Sequence, residues 1–322
     1  MDIPRFISTA DVPPKYLKSA MLVGRIPFKA LHTDPRVSYT FYIPPEHLNP
    51  DPTLQNQNHD ELDPIYELPP LPLIVTIHGT GRNAEVCRDR LIDFAHSERV
   101  AILAPLFPAG IESYNDLDNY KLLKYKTMRA DLMLLQILDE VALRWPGIDT
   151  EKVFMMGFSG GGQFAHRFMY LHADRLRAVS IGAPGMVTML DERLKWPNGV
   201  KDLAEVFGEG TVVRKETIKK LPIQLVVGGE DNVVHGGDEF WEWLQEKKKK
   251  LARDEGSSNA EKGEAGRLRL GRVDTLKALQ DAWKDEGIAS NLEIVAGVRH
   301  DSGGVLDVVK AFLGPYIRIV AR

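Results

Sequence analysis

Apolar residues in this chain are gathered into short, nearly continuous runs: Leu73 to Ile77 (LIVTI), Val100 to Ala104, Val153 to Met156, Ala178 to Ile181, Ile223 to Val227 and Leu292 to Val295. Stretches that read as helices separate most of them. Runs apolar on both faces are what a parallel sheet covered by helices on its two sides requires. Residues 36 to 43, RVSYTFYI, alternate instead, as a half-buried strand does, and the Pro/Asn/Asp-rich stretch 44 to 64 reads as a long connection. Helices are predicted over Arg88 to His96 and over Tyr120 to Trp145, the latter carrying Leu132, Leu135, Ile137, Leu138 and Val141 and stopping at Pro146. Two segments are longer than a plain crossover needs. Residues 185 to 220 are read as a cap or lid insertion, and residues 246 to 272, with KKKK and DEGSSNAEKGEAG, as a polar, flexible insertion. The pattern predicts a single α/β domain over residues 1–322, with no internal repeat.

Composition narrows the partners. Lys+Arg number 41 against Asp+Glu 45, a formal charge of −4, with no basic block outside one helix, so no footprint for a phosphate backbone is present and nucleic acid is excluded. A single cysteine, Cys87, cannot close an intrachain disulfide, and the first twenty residues lack the apolar core of a secretory signal; a cytoplasmic setting is expected. No run of about 18 apolar residues suggests a membrane span. Homodimerisation is left open.

The chemistry is concentrated where the runs end. Gly157-Phe158-Ser159-Gly160-Gly161 matches G-x-S-x-G and follows Val153 to Met156 directly before a predicted helix, the strand-to-helix context that gives the motif meaning. Small residues two before and two after the serine let the backbone turn sharply. Its hydroxyl then faces a helix N-terminus, whose free N–H groups suit an oxyanion. A serine needs a base, and the base an orienting carboxylate. Asp231 lies four residues beyond Ile223 to Val227, and His300 in the loop after Leu292 to Val295. In a parallel sheet these ends share one rim with Ser159. His235 rivals His300 as base, and Glu230 and Asp238 rival Asp231 as acid.

HGTG, GFSGG, GGED and VRHD, in this order across about residues 70 to 312, make the chain resemble the α/β-hydrolase superfamily, on its serine-esterase side with the polyhydroxybutyrate-depolymerase-like and feruloyl-esterase-like enzymes. More loosely, it resembles hydrolases of fungal polyketide pathways in secondary metabolism. The resemblance implies an α/β-hydrolase fold, with Ser159, Asp231 and His300 as catalytic triad. It also implies an oxyanion hole from the backbone N–H groups of Thr80 and Gly160; because the HGGG of many lipases is absent, Gly81 stays open as the alternative to Thr80.

The activity expected is hydrolysis of a carboxylic ester or thioester with a small to medium apolar substrate, through an acyl-serine and without a cofactor. Substrate-contacting candidates are Gly79, Phe107, Phe158, Met186 and Trp196; Met189, Leu190, Leu194 and Phe207 either join the pocket or form the cap's own core, and the loop Leu106 to Asn119, with Tyr114, Asn115 and Asp118, offers a second wall. The nine histidines include no HExxH and no ligand spacing with cysteine, so no metal site is predicted. HGTGRNAE lacks the third glycine of a dinucleotide loop and GFSGGGQ the Lys-Ser/Thr of a P-loop. Two alternatives stand beside hydrolysis. A histidine base with an oxyanion hole can stabilise an enolate, hence condensation, cyclisation or dehydration of a polyketide-type intermediate; and a hydrolase-like fold can persist as a catalytically silent binding protein.

Overall fold

In a computed structural model the chain is described over residues 7–55, 63–113, 116–232, 243, 246 and 271–321. Ten strands are present among these residues: β1 Gly24–Ala30, β2 Ser38–Ile43, β3 Leu73–Ile77, β4 Ala101–Leu106, β5 Lys124–Tyr125, β6 Met128–Arg129, β7 Val153–Phe158, β8 Leu176–Gly182, β9 Ile223–Gly228 and β10 Asn291–Val295. Eight of them form one sheet in the order β1-β2-β4-β3-β7-β8-β9-β10, while β5 and β6 make a separate ribbon. From β4 to β10 every pairing is parallel; β2 runs antiparallel to both β1 and β4.

The eight helices are α1 Ala84–Asp89, α2 Ile92–Glu98, α3 Ala130–Arg144, α4 Gly160–His172, α5 Leu203–Phe207, α6 Lys215–Ile218, α7 Arg272–Asp285 and α8 Leu306–Val320, counted among the described residues. Period-2 alternation sorts the strand side chains to two cores. Leu73, Val75, Ile77, Leu103, Val153 and Met155 pack with α3, α4 and Trp283 of α7. Ile74, Ile102, Phe154 and Ala178 face the other way, against Phe94 of α2 and Val309, Leu313 and Ile317 of α8.

Several expectations are corrected. The stretch Tyr120 to Trp145 is not one helix: residues Tyr120–Leu122 form a single 3-10 turn and the β5/β6 ribbon follows before α3 starts at Ala130. Leu123 at φ 61° and Lys126 at φ 50° take left-handed backbone that a helix cannot contain. The helical period comes from residues 132 to 141 alone. Arg88 to His96 is split into α1 and α2. Strand β10 lies at the sheet edge and is half exposed rather than buried on both faces, with Ile294 43% accessible. Strand β1 has no alternating signature in the sequence because it is the opposite edge with Ile26 as its one buried residue, and its register slips between Ile26 and Lys29, around Pro27. Most of residues 246 to 272 lie outside the described residues.

Within 185 to 220, the residue Thr188 is fixed to α4 from several directions. Its N–H donates to His166 Nε2 (2.9 Å), its hydroxyl accepts from Arg167 Nε (2.9 Å) and its carbonyl accepts from the Tyr170 hydroxyl (2.9 Å). Tyr170 in turn accepts from Trp283 Nε1 at 2.7 Å, which ties α7 to the same point.

Close approach of α4 to the strand ends sets the local geometry. A Cβ placed on Gly161 would lie 2.1 Å from the Ile77 carbonyl oxygen, and one on Gly157 2.3 Å from that of Gly161. Both obstacles are backbone and cannot swing aside. Gly161→Ala is therefore expected to destabilise the protein by about 2 kcal/mol or more, read as a lower melting temperature. Gly81→Ala, with no atom within 4 Å of the added carbon, serves as control and stays within about 0.5 kcal/mol of the parent.

Candidate active site

Ser159 follows β7 at φ 57° and ψ −116°, a backbone conformation that non-glycine residues avoid at a cost of about 1–3 kcal/mol. Its N–H donates to the Gly182 carbonyl at 2.8 Å, and α4 begins at the next residue. The turn is thus clamped between β8 and the helix it starts.

Beyond β3 the chain enters His78-Gly79-Thr80-Gly81. His78 is fully buried and accepts the Phe107 N–H at Nε2 (3.0 Å), so Nδ1 carries the proton and donates to the Gly79 carbonyl at 2.8 Å. Burial pulls its pKa down to about 4, and the charges of Arg82 and Lys121 add to the effect. The Tyr120 hydroxyl donates to the His78 carbonyl at 2.9 Å. Held this way, the loop passes close to the elbow: a Cβ on Gly160 would be 3.2 Å from the Thr80 nitrogen, and one on Gly79 3.8 Å from Ser159 Cβ.

The loops after β9 and β10 are zipped together by Gly229 N–H to the Val295 carbonyl (2.7 Å) and Glu230 N–H to the Val298 carbonyl (2.9 Å). Gly228 permits this, since a Cβ there would meet the Val298 carbonyl oxygen at 2.2 Å. The outcome is contact between Asp231 and His300. Asp231 is 3% exposed and accepts from His300 Nδ1 on Oδ2 at 2.6 Å and from Arg272 on Oδ1 at 3.0 Å. The His300 ring sits 4.9 Å, centre to centre, from the Phe158 ring.

Ser159 and His300 both face a cavity of about 640 Å³, along with Gly79, Thr80, Phe158 and Met186. No hydrogen bond joins the Ser159 hydroxyl to His300 among the described residues. Two of the proposed substrate contacts lie elsewhere. Phe107 is fully buried, stacked on Tyr120 and Phe164, and is not among the residues that line the cavity. Trp196 packs edge-on against Phe207 (4.9 Å) and donates to the Leu122 carbonyl at 3.0 Å. With Met189 and Leu190 they are packed on the main core, while Met186 alone of that set reaches the cavity. Among the rival groups, Glu230 is turned to Arg299 (3.3 Å). His235, Asp238, Tyr114 and Asn115 lie outside the described residues.

Three residues at the site went unnoticed in the sequence. Arg272 fell inside the polar stretch 246 to 272, and Tyr120 and Lys121 inside a helix that does not form. A titratable Tyr-Lys pair just before a left-handed Leu123 carries no local signature of a loop. Among the described residues no three His, Cys, Asp or Glu side chains converge as a metal site requires, and no helix is long and apolar enough to cross a membrane.

Comparison with solved structures bears on the architecture. Over 94% of this chain and 94% of its own, LpqC, a poly(3-hydroxybutyrate) depolymerase from Bordetella parapertussis, superposes with a TM-score of 0.62 at 20% identity. Poly(aspartic acid) hydrolase-1 from Sphingomonas sp. KT-1 does so with a TM-score of 0.59 at 19% identity, over 85% of this chain and 92% of its own. The fold is that of the α/β-hydrolases. No protein-family model matches the sequence, and neither does any curated protein. Identities this low carry the fold of an α/β-hydrolase and not its substrate.

In this α/β-hydrolase fold two buried histidines act as neutral struts, His78 under the loop after β3 and His166 under Thr188. Burial lowers the pKa of His166 to about 3. Both depressions have the same sign: the unfolded chain, with histidines near 6.5, binds protons that the folded chain refuses, so stability is full above about pH 6.5 and is lost as pH falls toward 4 for His78 and toward 3 for His166. Each histidine should contribute a slope of up to about 1.4 kcal/mol per pH unit in that window. Urea unfolding between pH 7 and 4 measures this; in His166→Gln the slope should fall by the share of one proton.

Proposed function

We propose that the chain is a serine hydrolase acting on small to medium carboxylic esters or thioesters through an acyl-serine. The observation that carries this reading is the 2.6 Å contact between His300 Nδ1 and the buried Asp231 carboxylate, at the rim of the cavity that Ser159 faces. With the Nδ1 proton held by Asp231, the free Nε2 is the nitrogen available as base.

In the proposed reaction His300 takes the Ser159 proton as the oxygen attacks the substrate carbonyl, and Asp231 stabilises the imidazolium that forms. The tetrahedral oxyanion is received by the N–H groups of Thr80 and Gly160; the closeness of the Thr80 nitrogen to Gly160 favours Thr80 over Gly81. His300 then returns the proton to the leaving oxygen or sulfur, the acyl-serine forms, and water activated by the same imidazole releases it. Arg272 on the second carboxylate oxygen holds Asp231 in place, so that its other oxygen faces the imidazole. A cavity of about 640 Å³ is of a size that encloses a small molecule. The strained turn at Ser159 is expected where an exposed nucleophile is fixed before substrate arrives.

Ser159→Ala should lower kcat on a short-chain ester by about 10⁴-fold or more and abolish labelling by a fluorophosphonate, while the far-ultraviolet spectrum stays that of the parent. Turnover that survives in Ser159→Ala and vanishes in His300→Ala would replace the acyl-serine with enolate chemistry. Asp231→Asn, which misplaces the imidazole tautomer, should cost about 10⁴-fold in kcat with little change in KM.

A further inference from the structure

Beside the elbow stands a buried cation that the proposed reaction does not use. Lys121 lines the same cavity as Ser159, and its side chain is only 6% exposed. It touches the oxyanion end of the site: a Cβ on Gly160 would be 2.8 Å from Lys121 Cε, nearer than the Thr80 nitrogen at 3.2 Å. Burying an ammonium costs free energy unless partners replace its water. Its one ion-pair partner among the described residues is Asp118, whose side chain is 61% exposed and therefore well hydrated. One contact leaves an ammonium with donors to spare.

The surroundings deepen the imbalance. Arg167 is fully buried directly behind, donating to the Lys121 carbonyl at 2.6 Å and to Thr188 Oγ1 at 2.9 Å. Arg82 donates to the carbonyls of Thr80, Phe107 and Leu117. Among the described residues, Asp118 is the only carboxylate in ion-pair contact with any of Arg82, Lys121 and Arg167. The nearby Asp116 carboxylate is occupied by the N–H groups of Gly110 and Glu112. Cations thus outnumber carboxylates behind the end of the cavity next to Gly160; of Arg82, Lys121 and Arg167, Lys121 lines it, together with its partner Asp118.

We infer that Lys121 determines specificity for an ester whose acyl half ends in a carboxylate, an alkyl hemiester of a dicarboxylic acid. His300 must address the leaving oxygen, so the leaving group lies over the histidine and its loop. Lys121 touches Gly160 instead, which receives the carbonyl oxygen in the proposed reaction, and the acyl chain is accordingly assigned to the lysine side. Apolar Met186 in the same cavity suits the methylenes of that chain, while Phe158 lies against the His300 ring, and the ammonium suits the chain's far end. A carboxylate there meets a cation already desolvated by the fold, which strengthens the attraction.

This inference rests on the serine-hydrolase reading, and the test separates the two. Acid release is followed by pH-stat on monoethyl glutarate, on its neutral counterpart ethyl pentanoate, and on butyryl glycolate, which moves the charge to the leaving group. The parent should favour monoethyl glutarate over ethyl pentanoate by at least tenfold in kcat/KM. Lys121→Met should lower that ratio at least tenfold, mainly through KM, and Lys121→Arg should restore part of it. Asp118→Asn, which removes the competing carboxylate, should raise the ratio at least twofold, and it carries the test alone if Lys121→Met does not fold. A parent ratio near one, a ratio unmoved by either substitution, or a preference that follows butyryl glycolate overturns the inference while ester hydrolysis stands. No hydrolysis of any of the three, together with no fluorophosphonate labelling, overturns both.

Discussion

Backbone crowding between the start of α4 and the ends of β3 and β7 is the constraint on which the rest of the site depends. Gly161 lies so near the Ile77 carbonyl that no side chain fits, and the helix can follow β7 within one residue because nothing projects from Gly157 or Gly161. That closeness forces Ser159 to φ 57°. A residue on such a turn cannot retreat into a regular strand or helix, so its hydroxyl stays at the rim where the helix N–H groups point. Strain stored at one residue is tolerable because the two cores on either side of the sheet over-determine its position.

Around this turn, the loops are fixed by internal polar contacts that do not need a ligand. His78 and His166 play the same part in different places: each is buried, each is kept neutral, and each uses one ring nitrogen to accept a backbone N–H and the other to reach a carbonyl. The first holds the loop that brings Thr80 beside Gly160. The second ties residues 185 to 200 to α4, so that Met186 is presented to the cavity while Trp196 is drawn down to pack on Phe207. A neutral imidazole suits the task because it is both donor and acceptor and carries no charge to desolvate.

Charge is spread unevenly about the cavity. On the histidine side, Asp231 is shared between His300 and Arg272, so cation and anion are matched at hydrogen-bond distance. On the side of Gly160, Lys121 is paired with the exposed Asp118 carboxylate, while Arg82 and Arg167 are held mainly by backbone carbonyls and neutral side chains. One flank is closed electrostatically and the other is left open to an anion.

From the sequence alone, the apolar runs, their spacing and the glycine-flanked serine determined a mostly parallel sheet with a sharp turn at Ser159 where a strand meets a helix, because alternation and strand-end turns are local properties. The strand-to-helix turn at Ser159 and the placing of Asp231 and His300 in loops after parallel strands were legible for that reason. Edge position was not. Strand β1 with its Pro27 and strand β10 with its exposed face are defined by what lies beside them, which no local pattern records. The same holds for Arg272, Tyr120 and Lys121: each reaches the site from a segment whose own sequence reads as solvated insertion or continuing helix. Only the tertiary structure brings Arg272 to within 3.0 Å of Asp231 and places Lys121 against Gly160, because a long-range ion pair or a buried charge depends on which strands become neighbours and not on which residues are neighbours in the chain.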